Sequence, residues 1–481
     1  MQSTAGASVG ASPVRLFANQ QARNLLVEIA VMAGSTIVCI ALYLGGDPEI
    51  VNYLAPATIL VVGGAANLHM IRQDSQTLLT PLFAMRLIAL VVFGFGGLSH
   101  NWASFTAQES FDYMMVTSPA ETARVHLLWL GGMDAMLIGT LIAMQLFVGI
   151  RVRPTGFAAP VSFKVAAWLF WAGFLGIVAS LIVPTVTVPG LVQTLLLAGE
   201  LSGIFLMGKT AGAKPMFSVV IGWSGLSLVF AALYFMNKSM ALYPLLCLVI
   251  GFLSNKINLR RIIIGTFLIG GVFIFIAPIV TSMRTDQVQS HGQLVVGSMS
   301  EQLESIERHI VGPPTENNDD STNGRFDYVV PAAFAMNQYD AGFSIDFIAK
   351  SGMAFIPRFI WPDKPALTTG DQVNHRMGFQ GTNSIGVTVF ADLYWNFGWM
   401  GMVLIIAMGL FNGVVTILNR ELMRMEDWIM IPFIMSTFRS ALNLDNEFVA
   451  AILVPAVLNF ILFFAIRIGT TLFQRRNAVP A

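Results

Sequence analysis

Between Arg261 and Arg284 the chain reads IIIGTFLIGGVFIFIAPIVTSM, residues 262–283, without one charged side chain. Rising 1.5 Å per residue, a helix of this length crosses the roughly 30 Å hydrocarbon layer of a bilayer. It has no polar face to turn to water, and its glycines suit close helix packing. The same texture extends in both directions. Of 481 residues, 55% are hydrophobic and only 11% are charged, against about 25% charged in a soluble domain. One soluble core cannot hide that much apolar surface, so much of it faces lipid.

Scanning for runs of this kind predicts an all-α polytopic membrane protein with about twelve transmembrane helices. They fall at residues 29–45, 51–71, 78–99, 127–150, 163–184, 188–208, 216–236, 240–254, 262–283, 394–418, 428–442 and 448–466. The runs at 240–254 and 428–442 are short and fit tilted or re-entrant segments. Placing the N-terminus inside puts most Lys and Arg of the short connections on the cytoplasmic side, among them Arg151, Arg153, Lys209, Arg260, Arg261 and Arg420. Outside the large late loop only Arg124 and Lys238 fall on the opposite side. Both termini are then cytoplasmic, as tails at 1–28 and 467–481. Residues 1–22 are rich in Ser, Ala and Gly and have no apolar core, which predicts a disordered tail and not a signal peptide.

Lys plus Arg and Asp plus Glu balance at 27 each, so a nucleic-acid binder working by bulk positive charge is excluded. Cys39 and Cys247 sit far apart in apolar runs and supply neither a disulfide framework nor a metal site. The chain contains no HExxH, P-loop, CxxC or strand-borne GxGxxG, and no cofactor or metal is expected.

One connection is long. Helices 1–9 occupy residues 29–283 and helices 10–12 residues 394–466; residues 284–393 between them form a large outer loop. Within it, residues 302–311 place Leu303, Ile306 and Ile310 opposite Glu301, Glu304 and Arg308, an amphipathic helix. PPTENNDDSTNG, residues 313–324, reads as a polar linker. Helical period returns from Phe343 to Phe355. Then comes FIPRFIWPDKP, residues 355–365, where three prolines separated by aromatic residues make a rigid turn bearing Arg358, Asp363 and Lys364. Fixed cations beside apolar helices suit a phosphate whose tail stays in lipid; the plainer reading is an interfacial anchor with Trp361 at headgroup level. Arg284, Arg325, His375 and Arg376 are further cations of this loop. The planar fork of Arg binds two phosphate oxygens at once.

Inside the membrane, Arg86 lies about 12 Å along the third span and calls for a partner, Asp134 or Glu200 being candidates. Arg439 in the short eleventh span is a second such group, with Asp445 and Glu447 just beyond it. The plainer readings are an ion pair between helices for Arg86 and snorkelling for Arg439. Of the loop carboxylates Asp327, Asp340, Asp346, Asp371 and Asp392, none has a spacing that identifies a general base.

FIPRFIWPDKP resembles the hallmark of the Wzy-type oligosaccharide repeat-unit polymerases, the O-antigen polymerase family, in which Pro-Arg, Trp-Pro and Lys-Pro follow an outer-loop helix. Downstream, Asn383, Ser384, Gly386 and ADLYWNFGWMG (391–401) are similar to that family's acidic-aromatic-Asn-Phe-Gly entry into the next span, with Asp392 where Glu is expected. Upstream, Arg325 in GRFDY matches a position where these proteins often carry Arg. The resemblance covers residues 325–401. It implies a GT-C-like, metal-independent glycosyltransferase of the bacterial inner membrane that couples undecaprenyl-diphosphate-linked oligosaccharides at the periplasmic face. A hydroxyl of one unit attacks the anomeric carbon of another, and undecaprenyl diphosphate leaves. It further implies catalytic roles for Arg325, Arg358 and Asp392 and substrate contacts from Lys364, Arg284, Arg376, Arg439, Trp361 and Arg86. A chain-length regulator and a flippase of the same pathway are the implied partners. Two competing readings are an O-antigen ligase, whose His-containing loop motif His375 matches poorly, and a transporter or flippase of lipid-linked oligosaccharide, to which a hundred-residue outer loop is of little use.

Overall fold

Proline and side-chain caps start several of the helices. Pro48 opens α2, Thr80 caps α3 by accepting from the Phe83 N–H with Pro81 at the first position, and Ser118 and Glu121 form a reciprocal capping box at the head of α5. The computed structural model describes residues 13–106, 117–147, 152–155, 161–182, 190–211, 215–255, 257–291, 299–311, 328–356, 360–361, 369–376 and 386–477, and no strand occurs among them. In chain order the helices are α1 (Pro13–Gly45), α2 (Pro48–Gln73), α3 (Pro81–Ala89), α4 (Gly96–Thr106), α5 (Pro119–Leu146), α6 (Phe163–Ile182), α7 (Gly190–Thr210), α8 (Pro215–Tyr234), α9 (Ser239–Asn255) and α10 (Leu259–His291). They are followed by α11 (Met299–Val311), α12 (Val329–Asp340), α13 (Phe347–Ala354), α14 (Thr369–Arg376), α15 (Val389–Phe397), α16 (Gly401–Arg424), α17 (Ile431–Ala441) and α18 (Val454–Asn477).

Among the described residues, nine helical stretches are long and apolar enough to cross a membrane: Gln20–Gly45, Pro48–Gln73, Pro81–Trp102, Pro119–Leu146, Phe163–Ile182, Pro215–Tyr234, Arg260–Arg284, Val389–Arg424 and Val449–Gln474. The chain is therefore an α-helical multi-pass membrane protein. The other three expected spans fall on α7, α9 and α17. The first carries Glu200 and Lys209, and the other two have 17 and 11 residues.

Several boundaries differ from the sequence reading. Helix α1 begins at Pro13, so part of the expected tail is helical; residues 13–19 precede the membrane-length stretch that starts at Gln20 and carry no helix breaker after the proline. Helix α5 begins eight residues before residue 127, because Glu121 and Arg124 are used to bind the loop and are not in lipid. Helix α10 runs on to His291, and α18 to Asn477. The third span is broken by a π-helical turn, Leu90–Phe95, between α3 and α4. The amphipathic helix appears as α11, whereas the linker 313–324 lies outside the described residues.

Helix α5 forms the centre, with Trp129, Leu130, Met136 and Leu137 fully buried. It meets α16 backbone to backbone: a Cβ on Gly139 would collide with the Ile406 carbonyl and one on Gly409 with the Met136 carbonyl, while Thr140 Oγ1 donates to the Gly409 carbonyl at 3.0 Å. Arg86 does not pair with Asp134 or Glu200. Its Nε donates to Glu28 Oε1 on α1 at 3.0 Å and a second bond joins Nη2 to Glu28 Oε2, with both side chains buried. Asp134 instead accepts from Thr36 Oγ1 at 2.9 Å. Sequence could not choose among these acids because Glu28 sits in a stretch read as tail.

The loop helices are seated on the end of the bundle where α5 begins, here called the loop end. Asn337 on α12 donates to Glu121 Oε1 at 2.6 Å; Asp340 accepts from Tyr394 at 3.0 Å and pairs with Arg124. Trp395 Nε1 donates to the Phe343 carbonyl at 2.8 Å. These bonds fix α12 and the turn after it to α5 and α15.

Candidate functional site

The hub of the loop end is the turn LNLDNEF, residues 442–448, between α17 and the last helix. Asn443, Asp445 and Glu447 of this turn each reach a different element. Asn443 Oδ1 accepts from Tyr243 on α9 at 3.2 Å, and Asp445 Oδ2 accepts from Tyr328 at the head of α12 at 3.2 Å. Glu447 Oε2 accepts the backbone N–H of Thr369, the first residue of α14. The Phe448 N–H donates to Asp392 Oδ2 on α15 at 2.9 Å, and the Val389 N–H donates to the Leu444 carbonyl at 3.0 Å. Gly386 lies against the Asp445 carbonyl and the Tyr328 ring, where a Cβ would stand 2.7 Å from each.

Above this turn Lys350, Thr369, Asp392 and Glu447 form one polar cluster. The Thr369 hydroxyl accepts from Lys350 Nζ at 3.1 Å and donates to Asp392 Oδ1 at 2.9 Å. Lys350, Thr369 and Asp392 are buried, whereas Glu447 is half-buried. Burial lowers the Lys350 pKa, and the charges of Asp392 and Glu447 oppose that shift. Burial pushes the Glu447 carboxyl up, aided by Asp392 and opposed by the Thr369 N–H and Lys350. Asp445 is likewise raised by burial, against the Tyr328 hydroxyl. With all three ionised, Lys350, Asp392 and Glu447 carry one net negative charge, so the cluster has electrostatic room for a further cation.

The expected cations distribute unevenly. Arg325, Arg358 and Lys364 lie outside the described residues. The segment carrying Arg358 and Lys364 nevertheless follows α13, which holds Lys350, and precedes α14, which begins at Thr369; Lys350 donates to Thr369, and Thr369 donates to Asp392 and Glu447. Trp361 is half-buried. Asp392 stands inside the helical entry to the span and not in the loop; both of its oxygens are engaged, and the residue is 2% exposed. Arg284 Nε is held by the Met236 carbonyl at 2.7 Å, tying α10 to the turn after α8. Arg376 is exposed, bonded to Gln338 at 2.9 Å and set over the Phe343 and Trp395 rings. Arg86 is committed to Glu28.

Arg439 belongs to the hub through Tyr243. Its guanidinium stands 5.6 Å from the Tyr243 ring, Glu200 and Cys247 are within electrostatic reach, and its Nε has no hydrogen-bond partner among the described residues. A groove of about 440 Å³ runs between α7, α17 and α18, lined by Leu195, Gly199, Pro432, Leu462 and Ala465 among others. Its walls suit a hydrocarbon chain.

Sequence reasoning missed Lys350, Thr369, Tyr243 and the binding role of the 442–448 turn. Two signals were available: a lone Lys in the otherwise uncharged helix FIAKSGMA, and a run of four polar residues among five, Asn443 to Glu447, squeezed between apolar spans. Among the described residues no group of three or more His, Cys, Asp or Glu is arranged to hold a metal ion. Comparison of the chain with protein-family models, with curated proteins and with solved structures gives no match.

Proposed function

We propose that this protein is a membrane glycosyltransferase of the oligosaccharide repeat-unit polymerase kind, joining undecaprenyl-diphosphate-linked units into a surface polysaccharide. The observation that carries this reading is that the helices flanking FIPRFIWPDKP meet at Thr369, which accepts from Lys350 of α13 and donates to Asp392 and Glu447, at the end of a bundle whose sides are apolar. A donor of this class has an apolar tail, a diphosphate and a sugar, in that order. Apolar helix faces and the groove beside α17 suit the tail, and Arg358, Lys364 and Arg325 are assigned to the diphosphate. Their charge stabilises the leaving group as the bond to the anomeric carbon breaks. The carbon is already activated, so no nucleotide motif is required. Asp392 is assigned a positioning role, since both of its oxygens are used to hold Thr369 and the turn at Phe448. The charge distribution of the short connections supports a periplasmic loop end and an inner-membrane location.

The test is a strain lacking the protein. Single lipid-linked units should replace long chains, and Arg358→Ala should reproduce that loss while the protein stays inserted. A strain that still makes long polymer but no longer attaches it to its lipid acceptor would identify a ligase instead.

A further inference from the structure

We infer that Glu447 is the proton acceptor for the attacking hydroxyl, held for that purpose by the backbone N–H of Thr369. The inference rests on the glycosyl-transfer reading and adds the group that reading lacked. Three carboxylates are bound into the hub, and they differ in what their oxygens are doing. Asp392 uses Oδ1 for the Thr369 hydroxyl and Oδ2 for the Phe448 N–H. Asp445 uses Oδ2 for Tyr328 and Oδ1 for Asn446 Nδ2 at 2.7 Å. Glu447 is held by Thr369, whose backbone N–H donates to Oε2, and among the described residues no other residue donates a hydrogen bond to its carboxylate, while the residue is half-buried. A base must have a lone pair that substrate can reach and a fixed position; Glu447 has both, whereas Asp392 is buried with each oxygen engaged and Asp445 has each oxygen engaged.

The step balances without a co-reactant. The acceptor hydroxyl gives its proton to Glu447 Oε1 as its oxygen bonds to the anomeric carbon. The bond from that carbon to the diphosphate oxygen breaks, and its electron pair leaves with the diphosphate. The resulting Glu447 carboxylic acid returns its proton to water. Among the described residues, the groups that face Glu447 are Lys350 from α13, Thr369 from α14 and Asp392 from α15. Burial and the Asp392 charge outweigh Lys350 and the Thr369 N–H, so the acid limb of the rate lies above the ordinary glutamate value of 4.5.

The experiment uses the full chain in phospholipid nanodiscs with undecaprenyl-diphosphate-linked repeat units, following both donor binding and polymer formation against pH. Glu447→Gln keeps an oxygen for the Thr369 N–H and should lose about a hundredfold or more in kcat, with donor binding within threefold of wild type. Glu447→Asp should recover part of the rate. A Glu447→Gln protein that polymerises within threefold of wild type and keeps the acid limb overturns the inference and leaves the glycosyl-transfer reading standing. Wild-type protein that binds the donor but forms no polymer overturns both.

Discussion

Replacing Thr369 by Val removes one hydroxyl and leaves the shape of the side chain, so it isolates the bridge between Lys350 and Asp392. That hydroxyl takes a hydrogen bond from the ammonium at 3.1 Å and gives one to the carboxylate at 2.9 Å, with Thr369 2%, Lys350 8% and Asp392 2% exposed. Bonds to charged groups contribute about 1.5–3 kcal/mol each. Asp392 keeps the Phe448 N–H and the attraction of Lys350, so the lower figure for each bond is appropriate, about 3 kcal/mol in all. At about 1.4 kcal/mol per tenfold, the flanks α13 and α14 should open about a hundredfold more often. Amide hydrogen exchange of the protein in nanodiscs reads this directly: α13 and α14 should exchange about a hundredfold faster in Thr369→Val, with α5 and α16 unchanged. Thr369→Ser, which keeps the hydroxyl, should stay near wild type. If α13 and α14 in Thr369→Val exchange within threefold of wild type, the cluster does not hold the loop down and the reasoning is refuted.

Glu28→Gln strands the buried Arg86 charge and should cost about 3–5 kcal/mol, whereas the double change Glu28→Met with Arg86→Met should regain most of it; thermal unfolding in detergent separates the two. Gly409→Ala places a methyl against the Met136 carbonyl and should lower the folded yield in size-exclusion chromatography, while Gly270→Ala, with nothing within 4 Å, should not. Gly386→Ala drives a methyl toward the Asp445 carbonyl and the Tyr328 ring, and should impair polymer formation more than insertion, as judged by product gels beside membrane fractionation. Since burial lowers the pKa of Lys350, the cluster should lose its positive charge below the ordinary lysine value of 10.5. The rate should therefore fall as pH rises through that lowered value, and the alkaline limb should shift in Lys350→Arg.

The membrane class was legible because lipid crossing demands uninterrupted apolar length, a property of composition and run length alone. The weak points were where chemistry competes with lipid. Residues 119–126 precede the span expected at 127–150, yet Glu121 and Arg124 among them are the groups that pin α12 to α5. Residues 389–393 fall just before the span expected at 394–418, yet they are helical, and hydrogen bonds from Thr369 and the Phe448 N–H hold Asp392 there. The partner of Arg86 was illegible because pairing depends on helix adjacency, which no local pattern encodes. FIPRFIWPDKP lies mostly outside the described residues, and its flanking helices meet at Thr369, beside Asp392 and Glu447. The hub itself, LNLDNEF, was hidden by brevity: seven residues of a turn acquire meaning only when α9, α12, α14 and α15 are brought to them.

The central claim is that the loop end couples lipid-diphosphate-linked sugar units. Purified protein in liposomes supplied with undecaprenyl-diphosphate-linked repeat units tests it most directly, by counting undecaprenyl diphosphate released against glycosidic bonds formed. The account predicts long chains with one lipid diphosphate released per bond, abolished by Arg358→Ala. Repeat units that remain single, or that only change leaflet, would contradict it.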